Sequence, residues 1–325
     1  MQILNQIQQD FEAHLKDSLF ENDPEELYAP INYILQIGGK RLRPAVLLLT
    51  CYLFKGKYKH ALPAALAIEV FHNFTLVHDD IMDNAPLRRG MPTVHEKYDI
   101  NTGILSGDVM MVHAFDLLLK LEDQKHFPTL LKIFTKLAVE VCEGQQMDMN
   151  FEKQQEVKID EYLRMIELKT SVLVAGAMKM GALLGGADLE DAEAAYQFGR
   201  NLGISFQLQD DLLDTYGDPE KFGKKVGGDI VQNKKTFLYL KALELADQNQ
   251  KSRLYELYQE NQLNEKEKIE KVVQIFNQIG IKEETELIKE EYKNNAFSFL
   301  RKLNIEEDRR NLLEKFAYYL MKRDV

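Results

Sequence analysis

The sequence predicts an all-α protein, and three observations carry that prediction. Glycine and proline are sparse, at 18 and 8 of 325 residues, so the punctuation that separates strands is thin. The period-two alternation of β-branched residues expected of half-buried strands is missing almost throughout. Apolar residues recur instead at helical spacing along the whole chain, with no internal repeat and no low-complexity tract.

Taken in order, residues 3–20, 26–37 and 41–56 read as the first three helices. Pro44 stands in the first turn of the third, where a missing N–H costs nothing. A long apolar helix covers about 61–83. The irregular segment NAPLRRGMPTVHEKYD follows, and helices resume at 103–122, 128–147, 160–184 and 189–216. Asp160 and Asp188 are the expected N-caps of the last two. A second irregular stretch, GDPEKFGKKVGGDIVQNK, covers 217–234, and the final ninety residues read as charged amphipathic helices. With no linker of disordered composition, the expectation is a single domain over residues 1–325.

Composition narrows the function. A chain of 325 residues buries a large core, and no run approaches ~18 consecutive apolar residues, so no membrane span is expected. The N-terminus has no basic flank before an apolar block, which points away from a secretory signal and toward the cytoplasm. The two cysteines, Cys51 and Cys142, lie in apolar segments and are expected as buried thiols. A formal net charge of −11 argues against a nucleic-acid surface.

The chemistry concentrates in two acidic clusters. FHNFTLVHDDIMD sets Asp79, Asp80 and Asp83 at i, i+1 and i+4, so Asp79 and Asp83 share one helix face. Carboxylates one turn apart at a helix C-terminus repel each other and are disfavoured by the macrodipole. A bound cation removes that cost. His72, Thr75 and Leu76 continue the stripe upstream. GISFQLQDDLLD repeats the pattern with Asp210, Asp211 and Asp214, joined by Gln207. One such cluster alone reads equally well as a solvated acidic turn. Two, each ending an apolar helix, point to a hard cation such as magnesium held by oxygen ligands and completed by phosphate.

Basic residues flank both clusters. GGKRLRP places Lys40 and Arg43 behind flexible backbone, Arg88 and Arg89 follow the first cluster, and Lys225 and Lys234 follow the second. Lys169 stands at helical register with Tyr162, Met165, Ile166 and Leu173. Each alone is readable as a surface cation, and Lys169 as one that snorkels. Together they form two basic groups and suggest two diphosphates.

In order and spacing, GGKRLRP, H-x6-DDIMD with LRRG, Gln145 with Asp148, Lys169-Thr170, FQLQDDLLD and KVGGDIVQNK resemble the trans-isoprenyl diphosphate synthases, also called polyprenyl synthetases. The resemblance covers essentially the whole chain. It implies a helical bundle around a deep apolar cavity, usually homodimeric, with the aspartate motifs facing across the mouth. It implies three magnesium ions, with Asp79, Asp83 and Asp210 as direct ligands and Asp80, Asp211 and Asp214 supporting them directly or through water. Lys40, Arg43, His72 and Arg89 match the pocket for isopentenyl diphosphate. Arg88, Lys169, Lys225 and Lys234 match the allylic diphosphate site, and Thr170 and Gln207 lie where oxygen dipoles stabilise a cation. FGKKVGG has an extra lysine, so Lys224 and Lys225 remain alternatives.

Chain length is read upstream of the first motif. At ~1.5 Å rise per residue, Phe74 lies about 7 Å and Phe71 about 12 Å from Asp79. In the resembling family, aromatics at both positions corresponding to 74 and 75 usually mean a fifteen-carbon product. An aromatic at the first alone usually means twenty. Phe74 beside Thr75 therefore favours geranylgeranyl diphosphate over farnesyl diphosphate, with Phe71 as a second barrier; both phenylalanines also read as ordinary core. A class I terpene cyclase would carry a mixed second metal motif, and a non-catalytic synthase subunit usually lacks some of these aspartates.

Overall fold

The computed structural model describes residues 2–122, 125–218, 226–259 and 264–321. The chain groups into two compact units: Met1–Ala138 with Gly176–Tyr196 and Asn304–Arg309, and Val139–Ala175 with Gln197–Leu303 and Arg310–Val325.

In the first unit, helices α1 (Gln2–Asp17), α2 (Glu25–Gln36), α3 (Leu42–Lys55), α5 (Val94–Lys97) and α6 (Ile100–Leu119) all contact α4 (Leu62–Met82). The helix α4 is apolar nearly all round, which is the signature of a helix at the centre of a bundle. Its inner residues Leu66, Ile68, Val70 and Phe71 are essentially inaccessible. By length and composition α6 is apolar enough to cross a membrane. Here it packs Gly103, Ser106, Gly107, Met110 and Ala114 inward as a bundle helix. Asp99 caps it by accepting from the Thr102 N–H at 2.9 Å.

The segment after α4 is not wholly irregular. Leu87–Arg88 (β1) and Met91–Pro92 (β2) form a small antiparallel hairpin, and the Tyr33 hydroxyl donates to the Pro92 carbonyl at 2.7 Å. A two-residue ladder is too short for a sequence pattern to announce.

The second unit closes a core of Phe151, Tyr162, Met165, Ile166, Ile204, Leu208, Leu212, Phe237, Leu254 and Phe276. Two long helices each hold residues assigned to both units: α7 (Phe127–Lys153), six residues longer than expected at its C-terminus, and α10 (Leu189–Tyr216). Asp188 caps α10 as expected, accepting from the Asp191 N–H at 2.8 Å.

The expected helix over 160–184 is divided. It begins as α8 (Ile159–Ile166), passes through a π-turn at Glu167–Ser171 and continues as α9 (Val172–Leu184). Asp160 is not its cap: it lies inside the first turn, where the Glu161 carboxylate accepts from the Lys158 N–H at 2.8 Å. The remaining helices are α11 (Gly228–Val231), α12 (Phe237–Leu245), α13 (Gln248–Gln259), α14 (Glu265–Ile279), α15 (Ile281–Leu300) and α16 (Glu307–Met321). Cys51 is buried as expected, but Cys142 is exposed, because it falls on the outer face of α7.

Candidate active site

The first acidic cluster occupies the last turn of α4, with Asp83 as C-cap and its N–H bonded to the Asp79 carbonyl at 2.9 Å. Asp80 is only 2% exposed. Both its oxygens are taken by Arg88, whose Nε and Nη2 donate at 2.7 Å each. Such a bidentate pair is strong and directional. Asp79 and Asp83, half-buried and exposed respectively, are left on the open face of the helix.

Close to it in sequence and in the same unit is a basic pocket. Gly38 and Gly39 take φ of +87° and +147°, which only glycine adopts readily. A Cβ at Gly39 would run into the Arg89 guanidinium. The glycine thus makes room for a cation as well as for a turn. Arg43 and His72 meet at 3.1 Å between Nη1 and Nε2. Burial, then the charges of Arg43, Arg89, Arg88 and Arg41, hold the His72 imidazole well below its ordinary pKa. A neutral His72 accepts from Arg43 and leaves the positive charge on the arginines. Arg41 serves the fold, paired with Glu69 at 2.6 Å and Glu12 at 3.2 Å. Lys40 is exposed.

Behind Asp79 stands an aromatic wall. The Phe71 ring lies 5.6 Å from Phe74 and 5.5 Å from Phe134 of α7, which in turn lies 5.0 Å from Phe115 of α6. Phe74 is 9% exposed and Phe71 fully buried. The Thr75 hydroxyl is returned to the His72 carbonyl at 2.8 Å, so it presents little bulk.

The second cluster lies near the end of α10. Asp211 is buried, receiving the Tyr162 hydroxyl at 2.5 Å and the Gln207 amide at 3.3 Å. Burial pushes its carboxyl up to about 7, against these hydrogen bonds and with help from Asp229. Burial and Asp229 likewise raise Asp214 to about 6, although Asp214 accepts from the Asp229 N–H at 3.0 Å. Lys169 bonds Asp148 at 2.6 Å, and Lys234 lies 3.8 Å from Asp229. Thr170 donates to Gln207 at 3.4 Å. Lys224 and Lys225 lie outside the described residues.

Lys169 and Thr170 owe their place to the π-turn. A Cβ at Gly144 would strike the Lys169 backbone, and one at Gly203 would strike Ser171 at 2.8 Å. These two glycines let neighbouring helices approach the widened turn, and π-turns of this kind recur at functional sites. Sequence reading missed the parts played here by Tyr162 and Asp229. The GGD of KVGGD was a signal for the second; nothing local marked the first.

The donor set suits magnesium. Among the described residues no three carboxylates, imidazoles or thiols converge tightly enough to hold an ion alone. Magnesium is ordinarily completed by water and phosphate oxygens, so one or two carboxylates per ion suffice. Burial, with Asp229 adding to it, raises Asp211 and Asp214 against the hydrogen bonds each accepts and, at Asp214, against the charge of Lys234.

Residues 24–276 match the Polyprenyl synthetase family. The chain belongs to that family. The synthase is 46% identical over 234 residues to the geranylgeranyl diphosphate synthase of Methanosarcina mazei, covering 72% of each chain. It is 39% identical to the short chain isoprenyl diphosphate synthase of Methanocaldococcus jannaschii, over 98% of this chain and 94% of the other. A crystal structure of a geranylgeranyl pyrophosphate synthase superposes with a TM-score of 0.94 at 45% identity, covering 99% of both chains. The synthase is therefore an all-α prenyltransferase that acts on small isoprenyl diphosphates.

Proposed function

We propose that the synthase condenses isopentenyl diphosphate with an allylic diphosphate and stops at the twenty-carbon geranylgeranyl diphosphate. The observation that carries this reading is the aromatic wall behind Asp79, bulky at Phe74 and small at Thr75, with Phe71 braced beyond it. The names of the relatives support it.

Asp79, Asp83 and Asp210 would hold magnesium, supported by Asp80, Asp211 and Asp214. The resemblance implies three ions. When bound, magnesium neutralises the allylic diphosphate and makes it a better leaving group. Arg88, Lys169, Lys234 and Lys225 add positive charge to that diphosphate, and oxygens at Thr170 and Gln207 stabilise the allylic cation. Lys40, Arg43, His72 and Arg89 would bind isopentenyl diphosphate, whose double bond attacks the cation. A proton then leaves, to the departed diphosphate. The apolar wall keeps water from trapping the cation.

The family match crosses residues of both compact units, which supports a single catalytic domain. The exposed residues Leu105, Val112 and Leu119, spaced by sevens on α6, support a homodimer that covers them. A cytoplasmic location completes the reading.

Mass spectrometry tests it, using purified protein with magnesium, isopentenyl diphosphate and five-, ten- or fifteen-carbon allylic starters. A twenty-carbon end product is expected. A fifteen-carbon product moves the floor closer to Asp79, and no elongation from any starter overturns the assignment.

A further inference from the structure

The π-turn at Glu167–Ser171 carries Lys169 and Thr170, and its hydrogen bonding is uncommon enough to need a cause. The Val172 N–H donates to the Glu167 carbonyl, closing a ring over five residues where an α-helix closes over four. Relaxation to α-geometry would turn the side chains between by about 100° for the one residue taken up. Gly144 and Gly203 make space for the wider turn, but space does not attract. Nor does the far end of the turn hold on. Ser171 is fully buried, and its hydroxyl has no hydrogen-bond partner among the described residues.

The near end is different. Glu167 is 9% exposed, and its carboxylate joins two arginines: Oε1 accepts from Arg164 Nη1 at 2.8 Å and Oε2 from Arg200 Nη2 at 2.7 Å. Arg164 stands three residues back on α8, so that pair is local. Arg200 stands on α10, three residues before Gly203, so the ion pair and the close contact share one face of that helix. Lys169 and Thr170 are bonded too, to Asp148 and Gln207, but these are the groups the substrate is to engage. A charge-assisted bond two residues before Lys169, made by a side chain the reaction does not use, gives direction without competing with the ligand.

We propose that Glu167, gripped by Arg200, is a positioning residue that fixes the direction in which Lys169 and Thr170 are presented. The inference rests on the proposed function and deepens it at the same site. Arg200 ties the residue whose carbonyl closes the turn to the helix that carries the second acidic cluster. Turn and cluster are thereby held in one frame.

Amide hydrogen exchange of the full chain tests the clasp apart from turnover. In Glu167→Gln the Val172 amide should exchange at least about tenfold faster, while amides farther along α9, such as that of Met178, keep their rates. Steady-state kinetics tests the positioning. Glu167→Gln and Arg200→Met should each lower kcat about tenfold to a hundredfold and raise the KM of the allylic diphosphate at least about threefold. The KM of isopentenyl diphosphate should not change, because Lys40, Arg43, His72 and Arg89 belong to the other compact unit. Arg200→Lys, which keeps the charge, should recover most of the loss, and Arg164→Met, which removes only the local partner, should stay within about twofold of wild type.

An unchanged Val172 exchange rate in Glu167→Gln overturns the proposal. So do equal rises in both KM values, or an Arg164→Met effect as large as that of Arg200→Met. Should Arg200→Met fail to fold by circular dichroism, Glu167→Gln, which keeps the side chain's shape, carries both measurements. Absence of elongation by the wild-type chain would remove the proposed function, while the exchange rates still decide whether the pair holds the turn.

Discussion

The two acidic clusters are nearly the same in sequence and different in electrostatics. In the first, the buried middle aspartate is matched by a full positive charge, with Arg88 donating to both Asp80 oxygens at 2.7 Å. In the second, among the described residues, the buried middle aspartate accepts from neutral groups, Tyr162 and Gln207, and Asp229 adds a further negative charge beside it. DDIMD is thus partly compensated before any ligand arrives. Under the proposed function DDLLD would rely more heavily on a bound cation. One motif is built twice with different degrees of self-sufficiency, and that difference is invisible in the motif letters.

The comparison breaks most visibly if either cluster is dispensable. Asp79→Ala and Asp210→Ala should each reduce turnover at least about a thousandfold while far-UV dichroism and melting stay near wild type. Activity surviving in either variant would show that one cluster suffices. The next effect is on folding. Arg88→Met leaves Asp80 buried without its cation and should destabilise the chain by about 3–5 kcal/mol, read from urea unfolding. A loss below about 1 kcal/mol would mean that Asp80 is rehydrated and the first cluster is not self-compensated.

A third effect concerns pH. Asp211 and Asp214 are raised to about 7 and about 6, so the folded chain binds more protons than the unfolded chain from about pH 4 upward through those values. Stability from this source therefore falls as pH rises through that window. Magnesium with inorganic diphosphate prefers the deprotonated carboxylates, so its thermal shift should be larger at about pH 8 than at about pH 6. A shift independent of pH would place the ions elsewhere. The smallest change is one of product. Phe74→Ala should lengthen the main product by one five-carbon unit, because Phe71, braced on Phe134, still stands behind it. An unchanged product would remove Phe74 from the floor.

What the sequence showed follows from the range of the interactions. The carboxylates of each cluster are related by helical periodicity within five residues, and the apolar character of α4 by its composition, so both were legible. Asp188 was legible as a cap because capping is local. The π-turn was not: it exists because Gly144 and Gly203, on other helices, allow close approach to Lys169 and Ser171. The Tyr162 partner of Asp211 lies 49 residues away in sequence. Asp160 failed as a cap because Glu161, one residue on, reaches the Lys158 N–H instead. Arg43 and His72 were grouped only through family resemblance, and their 3.1 Å contact gives that grouping a physical basis within this chain.

The glycine beneath Arg89 has a consequence for how variation in this family should be read. A methyl group at Gly39 alters no charge and touches no carboxylate, yet it would fill the space the guanidinium now occupies. The synthase would keep every ionisable side chain and lose the address of one of them. In a mutational survey, alanine at Gly39 would therefore resemble deletion of a cation more than stiffening of a loop. What the fold requires at that position is the emptiness that fixes where a charge can stand.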